Sequence, residues 1–132
     1  MNFAIFNDGE KFEEQKFNFE EDFEKEIKSN ARLLFGDKTI YLEIKRKIDT
    51  SALGSSIPDG ILFDFSDPED VRFYLVEVEL AKHDFYRHIF PQITKFFAFF
   101  KNHSMTNNLI EKTFNFLNNA PEIAAEFKKL AG

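Results

Sequence analysis

The chain contains no cysteine, which excludes disulfides and thiolate metal sites and leaves the redox compartment unmarked. Histidine is scarce too, with three in 132 residues, so a metal site here would rest on carboxylates. No apolar run approaches the roughly 20 residues of a transmembrane helix, and the opening MNFAIFNDGE lacks the basic flank of a signal peptide. No membrane partner is expected, and the cytoplasm is the default location. Positive charge is in deficit, at 17 Lys+Arg against 23 Asp+Glu, which sits badly with binding to nucleic acid. That deficit is local. Residues 1–26 hold nine acids against Lys11, Lys16 and Lys25, which accounts for the whole net charge of −6 and leaves the remainder neutral. A basic surface on the later part of the chain stays open. Internal repeats and low-complexity linkers are also missing.

What is present is the material of one folded domain. The length allows a single core, and 43% hydrophobic with 30% charged residues is ordinary for a globular protein. The 19 Phe suggest a core built from large flat rings rather than aliphatic side chains.

Phe3 to Phe6 suits a short strand, and Asp8-Gly9 is a turn signal. From Glu20 to Leu34 the spacing of Phe23, Ile27, Ala31 and Leu34 is helical, with Gly36 as the stop. Thr39 to Ile48 alternates as a half-buried strand, with Tyr41, Glu43, Lys45 and Lys47 on its polar side. A turn-rich stretch, DTSALGSSIPDG, leads to a second strand, Ile61 to Phe65. After SDPED comes a third, Val71 to Leu80, apolar on both faces until Glu77 and so expected at the centre of its sheet. Asp84 to Lys101 reads as the strongest helix. Phe85, Ile89, Ile93, Phe96, Phe97 and Phe100 form its apolar face, and Asp84, His88, Gln92 and Lys95 a polar stripe, with Pro91 expected to kink or break it. At helical spacing, FFAFF at 96–100 reads as core rather than as a platform for stacking bases. A polar loop, NHSMTNN, separates this from a helix over Leu109 to Leu117, and Pro121 opens a last helix running to Leu130.

Three acids stand where a sheet can gather them. Asp59 ends the loop before the second strand, while Glu77 and Glu79, two apart on the third, project from one face. A hairpin through SDPED sets Asp59 level with them. Two like charges ~4 Å apart repel by about 4 kcal/mol at an effective dielectric near 20, which a proton or a divalent cation relieves. Oxygen donors favour Mg²⁺ or Mn²⁺ over Zn²⁺. Removing one of three crowded acids should therefore raise the metal-free stability. The stretch 82–103, with His83, His88, His103, Lys82, Arg87, Lys95 and Lys101, is positively biased and suits phosphate contact, and His83 lies where it could assist proton transfer.

The ordered set IPDGILFDF, FYLVEVEL and HDFYRHIFPQITKFF, preceded by the helix FEKEIKSNARLLFG, resembles the signatures of the PD-(D/E)XK nuclease superfamily over residues 20–101. The resemblance implies an α/β fold with a restriction-endonuclease-like core, a central mixed sheet of about three to five strands flanked by helices. It implies one domain over 1–132, with C-terminal helices at 107–130 outside that core. It also implies metal-dependent phosphodiester hydrolysis, with DNA the expected substrate and Mg²⁺ or Mn²⁺ the cofactor. Asp59 and Glu77 resemble the two metal-binding acids, the Val78 carbonyl a further ligand, Glu24 the acid of the first helix, and Gln92 the glutamine of the following helix. The pattern departs at Glu79, where the superfamily usually has Lys. Some members use Glu there as a ligand or base, and others draw the Lys from a neighbouring element. Lys95 is the first candidate, then Lys82 and Lys45. A chain this small implies that specificity comes from a homodimer or a missing partner domain. The alternative is a catalytically inactive module of the same ancestry that serves protein or nucleic-acid interaction.

Overall fold

The computed structural model describes residues 3–45 and 57–132. β1 (Ala4–Asn7) and β2 (Glu10–Glu13) form an antiparallel hairpin that pairs Asn7 with Glu10. Asp8 and Gly9 both have positive φ, the two-residue turn whose twist suits a hairpin and for which Asp-Gly is favoured. The expected helix over 20–34 is two helices, α1 (Glu20–Ser29) and α2 (Ala31–Phe35), divided at Asn30. The Asn30 side chain donates to the Glu26 carbonyl and so satisfies the end of α1.

β3 (Thr39–Glu43), β4 (Gly60–Asp64) and β5 (Arg72–Val76) form a separate sheet in the order β3-β4-β5. The registers are antiparallel throughout, with Glu43 opposite Gly60 and Gly60 opposite Val76. This corrects the expected α/β architecture. A mixed sheet needs a parallel pair, and the described residues form two small antiparallel sheets with no central mixed sheet. After β5 the described chain is helical and adds no strand. The part of the first long strand beyond residue 45, and most of the turn-rich stretch after it, lie outside the described residues.

A second correction concerns β5. It is an edge strand rather than the central one, and Val71, Phe73 and Tyr74 remain about half exposed. Its double-sided apolar pattern is not matched by partners on both sides. β4 holds the centre.

The helix read over 84–101 begins as a wide π-helical turn, Phe85–Ile89, with the Asp84 side chain accepting the Arg87 N–H. It then narrows into α3 (Phe90–Lys101), with Pro91 in its first turn, where the missing N–H costs least. The wider turn shifts the phase of everything after it. Phe99, absent from the expected apolar face, is the residue α3 buries, while Phe85, Ile93 and Phe97 are exposed. The polar stretch expected as a loop is instead the start of α4 (His103–Asn118), where the Asn102 side chain accepts the Met105 N–H as a cap. α5 (Pro121–Ala131) opens on proline as expected.

The core lies between one face of the β3-β4-β5 sheet and α3, α4 and α5. Ile44, Ile61, Phe99 and Leu109 form one cluster, with Leu75 and Phe100 against it. Ile40, Leu42 and Phe65 form another, with Ile123, Phe127 and Leu130 against it. The fully buried positions are mostly aliphatic, contrary to the expectation from the phenylalanine count. Ten of the 19 Phe are exposed, and a few border the clusters, as where Phe127 meets Phe63 and Phe65 edge-on at 4.9 and 5.5 Å.

Candidate metal and phosphate site

β3 and β4 continue their pairing one step past the regular strands, where the Ile44 N–H donates to the Asp59 carbonyl at 3.1 Å. That step fixes the backbone of Asp59 at the end of β4 while its side chain turns to the chain leaving β5. The Val78 N–H donates to Asp59 Oδ2 at 2.8 Å. Lys45, one residue beyond Ile44, reaches back so that its Nζ donates to Asp59 Oδ1 at 2.9 Å and to Glu24 Oε1 at 3.4 Å. Asp59 and Glu24 are buried, at 4% and 9% exposure, whereas the Lys45 side chain is half exposed. The hydrogen bond to Asp59, with the negative charge of both acids, raises the Lys45 pKa further above its ordinary value.

Glu77 stands beside this pair without a cation of its own. Burial, followed by repulsion from Asp59, pushes its carboxyl up to about 7. Its Oε2 is buried and accepts no hydrogen bond, and the same holds for Gln92 Oε1. Buried acceptors without donors are costly, and a cation or a bound group with donors would relieve them. Tyr41 adds a phenol that sequence reasoning did not single out. Its pKa is pushed up to about 12 by burial and then by Asp59, Glu43, Glu24 and Glu77, so the hydroxyl stays protonated near neutral pH and able to donate.

Glu79 belongs to a neighbouring group. The turn closed by His83 N–H to the Leu80 carbonyl brings His83 back onto Glu79, and Glu20 at the start of α1 reaches His83 Nδ1 at 2.9 Å. Burial alone would raise Glu79, but its hydrogen bonds with His83 and Glu20 hold it below the usual carboxylate range. Glu20 is raised, chiefly by its hydrogen bond with Glu79.

The structure thus brings Asp59, Glu77, Glu24 and the Val78 amide together, and it supplies Lys45 as the cation of Asp59 and Glu24. Lys95 is exposed on α3, with no hydrogen bond or ion pair among the described residues. Lys82 is occupied elsewhere, donating to the Asn18 carbonyl at 2.9 Å. Lys45, placed last of the three lysines, follows Ile44, whose pairing with Asp59 across β3 and β4 carries it alongside that acid. Within 4.8 Å of one another, the described carboxylates and imidazoles form one group of three, Glu20, Glu79 and His83, and Asp59, Glu77 and Glu24 do not close so tightly.

Among the described residues no helix is long and apolar enough to cross a membrane. Compared with family models, curated proteins and solved structures, the chain matches none of them.

Proposed function

We propose that this chain is a metal-dependent phosphodiesterase of the PD-(D/E)XK kind, acting on DNA, with Asp59 and Glu77 as its metal-binding acids. The proposal rests on the residues of the site and not on a mixed-sheet core. The observation that carries it is Glu77, a carboxyl pushed up to about 7 beside Asp59, with one oxygen buried and lacking a donor. An all-oxygen donor set of this kind fits Mg²⁺ or Mn²⁺, with Glu24 linked to Asp59 through Lys45. When bound, such an ion supplies polarisation of a phosphate oxygen and a bound water acidic enough to attack it.

The chain's own residues have definable parts. Asp59 is oriented by the Val78 amide, which fixes one oxygen and leaves the other to a cation. Lys45 places positive charge at the half-exposed rim, where it can offset charge developing on phosphate. The protonated Tyr41 hydroxyl offers a donor on the same side. The cytoplasm remains the expected setting. The exposed Phe73, Phe97 and Phe114 suit coverage by a second copy or a partner domain, the expected source of specificity.

One set of measurements tests this reading. Millimolar Mn²⁺ should raise the melting temperature of the wild type and not that of Asp59→Asn or Glu77→Gln, because a ligand that binds only the folded state stabilises it by mass action. Plasmid or single-stranded DNA should be cut by the wild type alone. A metal-dependent shift without cleavage favours the inactive module, a reading that Lys45 supports because its ammonium already neutralises Asp59. Absence of any shift removes both.

A further inference from the structure

Glu20, Glu79 and His83 take no part in the proposed Asp59–Glu77 position, yet they converge from two segments far apart in the chain, the start of α1 and the turn after β5. Glu20 opens α1, Glu79 follows β5, and His83 ends the turn after it. Both carboxylates approach the same nitrogen, His83 Nδ1. A single imidazole nitrogen carries at most one proton and can donate it well to one acceptor, so His83 alone does not satisfy both carboxylates. The three candidate ligand atoms lie within 4.8 Å of one another.

Contacts beyond those among the three ligands hold the arrangement. The His83 N–H donates to the Leu80 carbonyl at 2.9 Å, folding the imidazole over Glu79. Lys82 Nζ donates to the Asn18 carbonyl at 2.9 Å, tying that turn to the segment entering α1 and hence to Glu20. A second imidazole, His88, stacks on His83 with centroids 5.1 Å apart, which limits rotation of the ring. All three groups are half-buried, and Glu79 also lines an adjoining cleft of about 770 Å³ with Phe17, Phe23 and Lys82. An ion at this point is reachable from solvent, and its ligands are oriented by the fold around them.

We propose that Glu20, Glu79 and His83 form a second cation site, selective for a divalent transition metal such as Mn²⁺, Co²⁺ or Zn²⁺ over Mg²⁺. The selectivity follows from the imidazole, which suits first-row transition metals, whereas Mg²⁺ takes oxygen donors and gives up its waters reluctantly. The inference deepens the proposed function, since a second cation beside Glu77 would share in binding phosphate, but the site stands on its own three ligands.

Metal-stripped, tag-free protein titrated with Co²⁺ should develop a visible absorption band that excess Mg²⁺ does not suppress. His83→Ala and Glu79→Gln should each weaken Co²⁺ binding by roughly tenfold or more, and Asp59→Asn should leave it unchanged. Glu20→Gln, at a half-exposed helix start, provides a third variant expected to fold, and melting curves establish that each variant is folded. A missing band in the wild type overturns the proposal, as does a band that survives His83→Ala and Glu79→Gln. A band lost in Asp59→Asn but kept in the other three places the cation at Asp59 and Glu77, which overturns the second site while leaving the proposed function standing. Retention in Asp59→Asn with loss in the others supports the second site even if no DNA is cut.

Discussion

Val78 presents its amide to Asp59, the N–H meeting Oδ2 at 2.8 Å across 19 positions of chain. With Lys45 on the other oxygen, this makes Asp59 a compensated buried charge, unlike its neighbour Glu77. The two acids should therefore respond oppositely to neutralisation.

Asp59→Asn should destabilise the metal-free protein by about 1 to 3 kcal/mol, since it weakens the bond to a buried amide and leaves Lys45 and Glu24 without the charge between them. Chemical denaturation measures this directly. The pairing of Lys45 with Asp59 argues against the expectation that removing any one of the crowded acids raises stability. If Asp59→Asn is neutral or stabilising, the bonds from Val78 and Lys45 contribute nothing.

Glu77→Gln should behave in the opposite way, and its effect should depend on pH. A carboxyl whose folded pKa lies at about 7, above the ordinary 4.5, contributes stability that is fully present below 4.5 and is lost as pH rises through about 7. Glutamine mimics the protonated side chain at every pH, so the variant should gain on the wild type between roughly pH 5 and pH 8. A shift of this size corresponds to about 3 kcal/mol without screening, and partial exposure reduces that to on the order of 1 kcal/mol. Parallel denaturation curves at the two pH values check the sign. Saturating Mn²⁺ should abolish the wild type's loss at high pH.

These contrasts mark what could and could not be read from the residues. The alternation of Ile40, Leu42 and Ile44 against Tyr41, Glu43 and Lys45 made β3 legible, and Asp8-Gly9 marked the hairpin turn. The pairing of Asp59 with the Glu77 region followed from counting back through the SDPED turn, because antiparallel register is nearly set once a short turn is known. Three features were hidden. The position of β5 depends on whether another strand pairs beyond it, which apolar content cannot tell. The buried face of α3 was displaced by the π-helical turn at Phe85–Ile89, since a count of 3.6 residues per turn does not carry across a wider one. Lys45 was obscured because the long connection between β3 and β4 concealed which β3 residue lies beside Asp59.

Among the lysines, Lys45 should matter most. Lys45→Met keeps much of the aliphatic stem and removes the charge that faces Asp59 and Glu24. Cleavage should fall by about 10² if that charge stabilises the developing anion. Lys95→Met should change cleavage less than threefold, as Lys95 is exposed and makes no contact with the acids. Equal losses in the two variants would point to a general need for positive surface rather than to a specific role for Lys45. Rates at low and high salt separate these cases, because binding through diffuse charge is strongly screened and a local contact is not.

Gly60 tests how the site is shaped next to Asp59. A Cβ at this position would lie 2.4 Å from the Tyr41 ring, too close for any real contact, so the ring occupies the space that glycine leaves. The same ring stacks on Phe35, with centroids 6.4 Å apart. Gly60→Ala must push the Tyr41 ring aside, because the backbone at Gly60 is pinned between Glu43 and Val76 in the sheet. The ring is the far part of a side chain and can swing, so the cost should be moderate, about 1 to 2 kcal/mol. The more telling readout is the phenol. Displaced toward solvent, Tyr41 should lose its burial and its proximity to the acids, and its pKa should fall from about 12 toward the ordinary 10. Spectrophotometric titration against a Tyr41→Phe control isolates that group. An unchanged titration together with unchanged stability would mean that the ring was never held over Gly60, and that Tyr41 is not the donor assigned to it beside Asp59.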